Sequence, residues 1–476
     1  MTQPRLLLVL VTTLFNLHAP AYADPIAFLR PAEILASLET TYPPVVVALA
    51  EKEAAQAALM AAAGAFDPAW KTRAAARPSS QYPHQRIDSN LEQATPWWGT
   101  TFFGGWRRGD GNFAPYDGKL ATNDGGEWRA GLTVPLWRNG PIDRRRAELV
   151  RAEAQTTIAE ASLRLQRLEA SQQAIQRYWD WVAAGQQVAI ARRWLNLARK
   201  RDADLATGIR TGALPALDRQ ENERAIQQRE GYLAQAERGL ERSAIALSLF
   251  LRDEKGSPRL PSPGQLPPTL PPARHLSEAL VQADLSAVAA LRPEPRQVEA
   301  QLEQARVDLA LAENQLAPAF DLSFQGSQDL GAGQVGRATP ELEAGVLVDV
   351  PLIARTPRGK IAQSQAKVKG LEAKLRFAQD KARAGVKDAV SAVVAATRRA
   401  VAAQGEREVA ERLAVLEAER LRLGEGSLFI VNLREQAAAD AAVREAIALG
   451  EHQRARVVYE TSAGRIPTGD TPQQDG

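Results

Sequence analysis

The sequence predicts a mainly α-helical fold with a small β part, in which one helix–strand–strand–helix–helix unit occurs twice. Three observations support this prediction: long proline-free runs of helix-forming residues, four short segments of alternating apolar and polar residues, and a repeat of both patterns along the chain. Alternation with period two is typical of strands, and recurrence every three or four residues is typical of helices. A helix over the proline-free residues 358–423 would be ~100 Å long. Helices of this length do not fold back into a compact globule, so we expect a coiled-coil-like bundle.

The first residues are predicted to be a secretory signal peptide. Arg5 precedes the apolar run 6–11, and the small residues Ala21 and Ala23 flank Tyr22. A basic residue, a short apolar run and an A-x-A site are typical of such a peptide, although a short apolar helix is the alternative. We therefore expect cleavage after residue 23, with the mature chain beginning at Asp24.

Composition argues against several classes of function. The chain has 476 residues, with 59 Lys and Arg against 56 Asp and Glu, and a balanced charge argues against a dedicated nucleic-acid binder. It has no cysteine, which excludes disulfides, thiolate metal sites, Cys nucleophiles and a lipid-anchoring cysteine. The formal G-x-G-x-x-G at 331–336 is followed by Pro340 and an alternating segment instead of the helix that a dinucleotide site needs. We expect no enzyme activity, no cofactor and no metal.

Four long helices follow from runs rich in Ala, Arg, Glu, Gln and Leu, which are strong helix formers. Their buried sides consist mostly of Ala with scattered Leu and Val, as in residues 389–396. Small residues allow close approach between neighbouring helices. The predicted ranges are about 141–207, 214–251, 357–423 and 428–463.

Four short segments break the helical pattern and are predicted to be strands at about 67–76, 127–137, 319–328 and 341–352. Each is close to the 9–11 residues of a strand that crosses an outer membrane at a tilt. A sheet of a soluble protein is the alternative. Aromatic residues that flank an apolar strand are typical of a membrane interface. We expect this role for Trp70, Trp128, Trp137, Phe320 and Phe324.

A long glycine-rich segment, about residues 77–126, separates the first two predicted strands, whereas a shorter one, about 326–340, separates the last two. The long segment is predicted to be a loop that faces outside the cell. The aromatic residues between Trp97 and Trp106 fit either a membrane interface or a packed surface loop, and the sequence leaves both open.

The chain is internally duplicated. At an offset of 250 residues, eight positions between Pro43 and Ala69 are identical to those between Pro293 and Ala319. Val134-Pro135-Leu136 recurs at 350–352, and the segment 212–218 resembles 426–432. Such repetition is a fold-level signal. The predicted organisation is a signal peptide (1–23), a first repeat (24–252), a proline-rich linker (253–274), a second repeat (275–464) and a flexible tail (465–476).

The number of predicted strands requires more than one chain. A membrane sheet must close, because open edges leave unpaired backbone groups in hydrocarbon. Single-chain barrels begin at eight strands, and this chain is predicted to supply four. At least two copies are needed, and three copies would supply twelve strands.

The order of these elements resembles the TolC-type outer-membrane efflux protein family over about residues 30–464. Residues 291–296, Leu-Arg-Pro-Glu-Pro-Arg, look like the family's entry to the second repeat, and 212–218, 426–432 and 463–464 look like its turn and terminal patterns. The resemblance implies a homotrimer in the outer membrane of a Gram-negative bacterium. A twelve-stranded β-barrel would contact outer-membrane lipid, and a long α-helical barrel would extend it into the periplasm.

The resemblance also implies a function and partners. The chain would be the exit duct of a tripartite efflux or type I secretion system, with a periplasmic adaptor and an inner-membrane pump of the RND or ABC type. A soluble periplasmic coiled-coil adaptor or scaffold is the competing interpretation. Because the chain lacks cysteine, it is similar to the unlipidated branch of the family.

By the same resemblance, the two helix–helix turns form the periplasmic tip, and acidic residues after the turns ring a closed aperture. In this chain the aperture would be formed by Asp218, with Asn432 at the matching place of the second turn and Glu435 three residues later. Asp218 could equally cap a helix N-terminus. The turn glycines are Gly212 and Gly426, and Arg210, Arg219 and Arg434 are candidate partners that hold the tip shut.

Overall fold

The computed structural model describes residues 28–211 and 215–469. The predicted signal peptide and Gly212 lie outside the described residues. The first half contains α1 (Pro31–Thr41), α2 (Pro43–Ala63), β1 (Ala69–Arg77), β2 (His84–Ala94), β3 (Thr101–Gly111), β4 (Gly126–Pro135), α3 (Arg144–Arg210) and α4 (Ala216–Ser248). The second half contains α5 (Glu278–Leu291), α6 (Pro293–Asn314), β5 (Ala319–Leu330), β6 (Glu341–Asp349), α7 (Arg355–Arg422) and α8 (Leu428–Ser462).

The prediction of a mainly helical fold with a small sheet is confirmed. Helix α3 has 67 residues and α7 has 68, so each is ~100 Å long. Helices α1, α2 and α6 begin with a proline, which has no N–H to leave unpaired there. Asp143 precedes α3, and its carboxylate accepts a hydrogen bond from the Arg146 backbone N–H at 2.9 Å.

The long helices pack as antiparallel pairs, α3 with α4 and α7 with α8, and α3 also contacts α8. Small residues allow this close approach. A Cβ on Gly450 of α8 would lie 3.0 Å from the Ala183 Cβ of α3. Near the middle of α3, the proline-rich linker covers the bundle, and its Leu266 occupies the space that a side chain at Gly185 would need. Trp181 and Val182 are fully buried in this part of the core.

The β part is one antiparallel sheet with the strand order β1-β2-β3-β4-β5-β6. The prediction of four strands was therefore wrong by two, because the segment 77–126 contains β2 and β3 as well as a loop. Gly104 and Gly105 lie in the middle of β3, and β2 carries few apolar residues, so both strands resemble a loop in sequence. Strands β4 and β5 pair over their length and join the two halves of the chain.

Within the described ranges, no helix combines the length and the hydropathy that a membrane-spanning helix needs. The glycine-rich residues 331–336 lie in the connection between β5 and β6. Gly331 has φ = 91° and Gly333 has φ = 154°, so both adopt backbone conformations that favour glycine.

Candidate functional site

The sheet has one apolar and one polar face, and both continue across all six strands. On the apolar face, one line of paired residues runs through Trp70, Leu91, Gly104, Ala130, Gly326 and Leu342. Two residues further along β4, Leu132 pairs with Phe102 on one side and Phe324 on the other. The apolar side chains are exposed: Trp70 is 72%, Phe324 49% and Leu342 93% exposed.

The polar face carries ion pairs between strands. Lys71 on β1 contacts Glu92 on β2, and Arg107 on β3 contacts Glu127 on β4. Arg129 on β4 reaches across β3 to Asp88 on β2 and donates a hydrogen bond to Asn90 at 3.1 Å. Gly105 makes this crossing possible, because a Cβ there would lie 2.2 Å from the Asn90 Oδ1. An apolar face opposite a polar face is the arrangement of a membrane barrel wall with an aqueous interior.

The sheet is strongly staggered. The line of paired residues begins at Trp70, near the start of β1, and ends at Leu342, near the start of β6, although these two strands run in opposite directions. It therefore crosses the sheet from one end to the other. Closed barrels require such a stagger, because their strands tilt relative to the barrel axis. Within the chain, β1 and β6 each have one unpaired edge.

Most of the predicted interface aromatics lie at the ends of the apolar face. Trp137 follows β4 and stacks on Phe320 with ring centroids 6.2 Å apart, whereas Trp128 lies near the other end of β4. Trp70 is the second residue of β1. Trp137 comes nine positions after Trp128, and a strand of that length tilted by ~40° spans a height of ~23 Å. Phe324 differs from the prediction, because it lies in the middle of β5 and not at an end.

The other predicted site residues that the structure describes lie near the ends of the long helices, where α4 follows α3 and α8 follows α7. Asp218 is the third residue of α4 and half-buried, and the preceding N-cap position is taken by Pro215. Asp218 is therefore not the capping residue, although its carboxylate lies at the positive end of the helix dipole. Arg210 is exposed and donates to Thr207 of its own helix at 3.2 Å. Arg219 pairs with Asp202 of α3 at 3.6 Å, and Arg434 is exposed.

The turn between α7 and α8 contains Gly424 and Gly426. Gly424 has φ = 81° and ends α7 in the left-handed conformation that glycine adopts readily. Gly426, the predicted turn residue, packs closely, since a Cβ there would lie 2.8 Å from the backbone N of Leu421. Gly424 was not among the predicted turn residues, although a glycine directly after a helical run is a known C-terminal signal.

Asn432 and Glu435, which were predicted to line an aperture, are 7% and 6% exposed in the single chain. Their side chains are buried between α8, α3 and α4, where Glu435 forms ion pairs with Arg201 and Arg229. The Arg229 Nη2 lies 2.8 Å from the Glu435 Oε2, and Arg201 donates to Asn432 at 2.8 Å. We call Arg201, Arg229, Asn432 and Glu435 the buried tip cluster.

The buried tip cluster connects α8 to α3 and α4. Arg229 is 1% exposed, donates to the backbone O of Trp194 at 2.8 Å and lies 4.7 Å above the Trp194 ring. Burial lowers the pKa of Arg229, and the adjacent Glu435 carboxylate opposes this shift. A buried charge is stable only with such partners. Neither arginine was identified from the sequence, because α3 and α4 carry many arginines that look like solvent-exposed residues.

No group of three or more His, Asp or Glu side chains that could hold a metal ion occurs in the described part of the chain. Two candidate functional features remain. One is the two-faced staggered sheet at one end of the long helices, and the other is the buried tip cluster near the other end.

Comparisons with known proteins identify the fold. No family model matches the chain, and no curated protein matches it either. Solved structures do match. The outer membrane protein VceC of Vibrio cholerae has a TM-score of 0.62 at 14% identity, covering 91% of this chain and 96% of that one. The open-state MtrE outer membrane channel of Neisseria gonorrhoeae has a TM-score of 0.64 at 15% identity, covering 92% and 89%.

A third match, the Campylobacter jejuni CmeC outer membrane channel, has a TM-score of 0.61 at 13% identity and covers 99% of this chain and 96% of that one. The chain has the fold of these outer-membrane channels. Coverage above nine-tenths of this chain includes both halves, so the likeness extends to the sheet as well as the long helices.

Proposed function

We propose that this protein is the outer-membrane channel of a tripartite efflux or type I secretion system. It serves as a passive exit duct for substrates that an inner-membrane pump delivers through a periplasmic adaptor. The observation that carries the proposal is the two-faced staggered sheet, with an exposed apolar face and an ion-paired polar face. A soluble coiled-coil adaptor or scaffold does not require a sheet with an exposed apolar face, which argues against that alternative.

The open edges of the sheet support a homotrimer. In hydrocarbon, the unpaired edges of β1 and β6 must pair with further strands, and the simplest partner is the opposite edge of another copy. Helix α7 supports the same conclusion. It buries six of its 68 residues, whereas α3 buries 24 of 67. Val409, Leu413 and Leu416 of α7 are 48%, 42% and 62% exposed and recur at helical spacing, so they provide an apolar surface for a second copy.

The membrane assignment can be tested with two adjacent residues of β5. Phe324 lies on the apolar face and Gln325 on the polar face. A lysine in the middle of a lipid-facing strand costs about 2–4 kcal/mol, whereas a lysine facing an aqueous lumen is tolerated. We expect Phe324→Lys to reduce the heat-modifiable trimer in outer-membrane fractions, and Gln325→Lys to leave it near the wild-type amount. Equal yields of the two variants, or wild-type protein free in the periplasm, would contradict the proposal.

We propose further that Asp218 lines the periplasmic aperture, where three copies would surround one axis. A ring of carboxylates favours cations. In planar bilayers, Asp218→Ala should reduce the cation preference or raise the single-channel conductance. Glu223→Ala removes a charge from a different side of α4 and is the matched control. Identical selectivity and conductance in Asp218→Ala and wild type would refute this assignment.

The inner-membrane pump is of the RND or ABC type in this proposal, and the pump selects the substrate. Copurification of the protein from cross-linked envelopes should recover a periplasmic adaptor together with one such pump. If the homotrimer is recovered without either partner, under conditions that retain a known tripartite complex, the tripartite part of the proposal is refuted and the channel part remains.

A further inference from the structure

The hairpin formed by β2 and β3 is the part of the molecule that the proposed function does not explain, since four strands per chain already suffice for a trimeric barrel. We propose that β2 and β3 are strands of the membrane wall and contact lipid acyl chains. Three copies of the six-stranded sheet then form a barrel of eighteen strands. This inference rests on the proposed function and concerns a segment that could otherwise be an extracellular loop.

The apolar face of the sheet continues through the hairpin. Ile87 and Leu91 of β2 are 45% and 43% exposed, and Phe102 of β3 is 42% exposed. All three lie on the same face as the apolar residues of β4, because Leu91 pairs with Gly104, and Gly104 with Ala130. Trp106 of β3 lies directly opposite Trp128 of β4. A hairpin surrounded by water has no need to continue this pattern in register.

The turn between β2 and β3 lies at the end of the sheet that is next to the helices. Trp97 and Trp98 in this turn are 74% and 50% exposed, and a Cβ on the adjacent Gly99 would lie 2.5 Å from the backbone O of Asn139. The turn therefore touches the segment between β4 and α3, at the same end of the sheet as Trp137. The hairpin spans the full height of the wall, and its exposed tryptophans lie at the periplasmic interface, where this residue type is enriched.

The polar face of the sheet also continues through the hairpin. Arg129 crosses β3 to reach Asp88, and Lys71 on β1 pairs with Glu92 on β2, so the ion pairs of this face continue through the hairpin. Both faces of β2 thus match the faces of the neighbouring strands. The hairpin is an integral part of the wall by register, by its apolar surface and by its charges.

A wider exit follows from this arrangement. With strands ~4.8 Å apart and tilted by ~40°, a twelve-stranded barrel has a backbone diameter of about 24 Å and an eighteen-stranded one about 36 Å. The outer-membrane opening of this protein would therefore accommodate bulkier cargo, such as polypeptide segments, than a twelve-stranded barrel would.

Cysteine scanning tests the inference directly, because the chain has no cysteine of its own. In trimers reconstituted into liposomes, a membrane-impermeant maleimide should label Asn90→Cys, which faces the lumen, and not Leu91→Cys, which faces lipid. The matched reference pair on β5 is Gln325→Cys, expected to be labelled, and Phe324→Cys, expected to be protected. Protection at Leu91 equal to that at Phe324 supports membrane placement of β2.

The two pairs of variants separate the inference from the proposed function. Labelling of both β2 positions, with the β5 pair still alternating, would overturn the membrane placement of β2 and leave the channel intact. Labelling of both β5 positions would overturn the channel proposal as well. Deletion of residues 78–111 provides a second measurement, because it leaves 112–125 as a loop that joins β1 to β4.

In the deletion variant, β1 and β4 remain antiparallel with their apolar residues on one face. Electron microscopy of trimers in nanodiscs should show the barrel diameter fall by about one third, from eighteen to twelve strands. A full-length barrel that has twelve strands, with the hairpin outside the wall, would refute the inference.

Discussion

The buried tip cluster allows a sharp test of what holds α8 against the first helical pair. In Glu435→Gln, the shared carboxylate of two arginines is replaced by a neutral amide of the same shape. Arg229 remains 1% exposed and loses its counter-charge. Removing one partner of a buried ion pair costs about 3–5 kcal/mol. The Arg201 side chain is 14% exposed and can turn toward solvent, so we expect a value near the lower end, about 3 kcal/mol.

Hydrogen exchange measured by mass spectrometry is the suitable assay, because it reports the free energy of local opening. A loss of about 3 kcal/mol corresponds to exchange about 100-fold faster in peptides from the first turns of α8. Peptides from the middle of α3, around the fully buried Trp181, lie in a separate part of the core and should exchange at the wild-type rate.

Glu230→Gln is the matched control, since Glu230 is the next residue after Arg229 and pairs with Arg199 across the same two helices. Its side chain is 39% exposed, so its ion pair contributes only about 0.2–1 kcal/mol. Exchange in α8 should therefore stay near the wild-type rate. If Glu435→Gln exchanged no faster than Glu230→Gln, the buried tip cluster would not be what holds α8 in place.

Three further predictions concern packing and protonation. Tyr459→Phe removes an O–H that donates to the buried Asp284 at 2.5 Å, and it should lower the free energy of unfolding by about 1.5–3 kcal/mol. An unchanged melting temperature would contradict this prediction. Gly105→Ala places a Cβ 2.2 Å from a side-chain oxygen of β2, and we expect overpacking of about 1–3 kcal/mol to reduce the trimer yield. Gly104→Ala has open space around the new Cβ and should give the wild-type yield, so equal yields of the two variants would refute this prediction. Burial lowers the pKa of His452 in the folded chain. As the pH falls below about 6.5, His452 therefore binds a proton in the unfolded chain before it does so in the folded chain. The free energy of unfolding then decreases by at most about 1.4 kcal/mol per pH unit. Melting curves of His452→Gln between pH 7 and pH 5 should be less pH-dependent than those of wild type, and an identical slope would exclude this role.

The sequence predicts the helices well because their signals are local. The predicted range 428–463 agrees with α8, Leu428–Ser462, and 357–423 with α7, Arg355–Arg422. Strands β4, β5 and β6 are recognisable because each has at least three apolar residues in succession at alternate positions. Strands β2 and β3 are not, since Gly104 and Gly105 are typical of loops when read alone. They are strands because β1 and β4 offer pairing partners on either side, which is information that local patterns do not contain.

The site residues divide in the same way. The position of Asp218 just after a helix–helix turn follows from the repeat in the sequence. The burial of Glu435 depends instead on Arg201 and Arg229, which are more than 200 residues away along the chain. Counting residues from a turn gives the height of a side chain along the bundle. It does not give the neighbour that the side chain faces, which is set by the packing of α8 on α3 and α4.

The pairing of β4 with β5 has a consequence for the order in which the protein folds. In every other strand pair the partners are at most 32 residues apart in sequence, whereas Trp128 and its partner Gln328 are 200 apart. Closing so long a loop carries a larger entropic penalty than forming a hairpin. Strands β1–β4 and the β5–β6 hairpin can therefore form as separate small sheets. Because α3 packs against α6 and α8, we expect docking of these helices to bring β4 and β5 together and to precede their pairing.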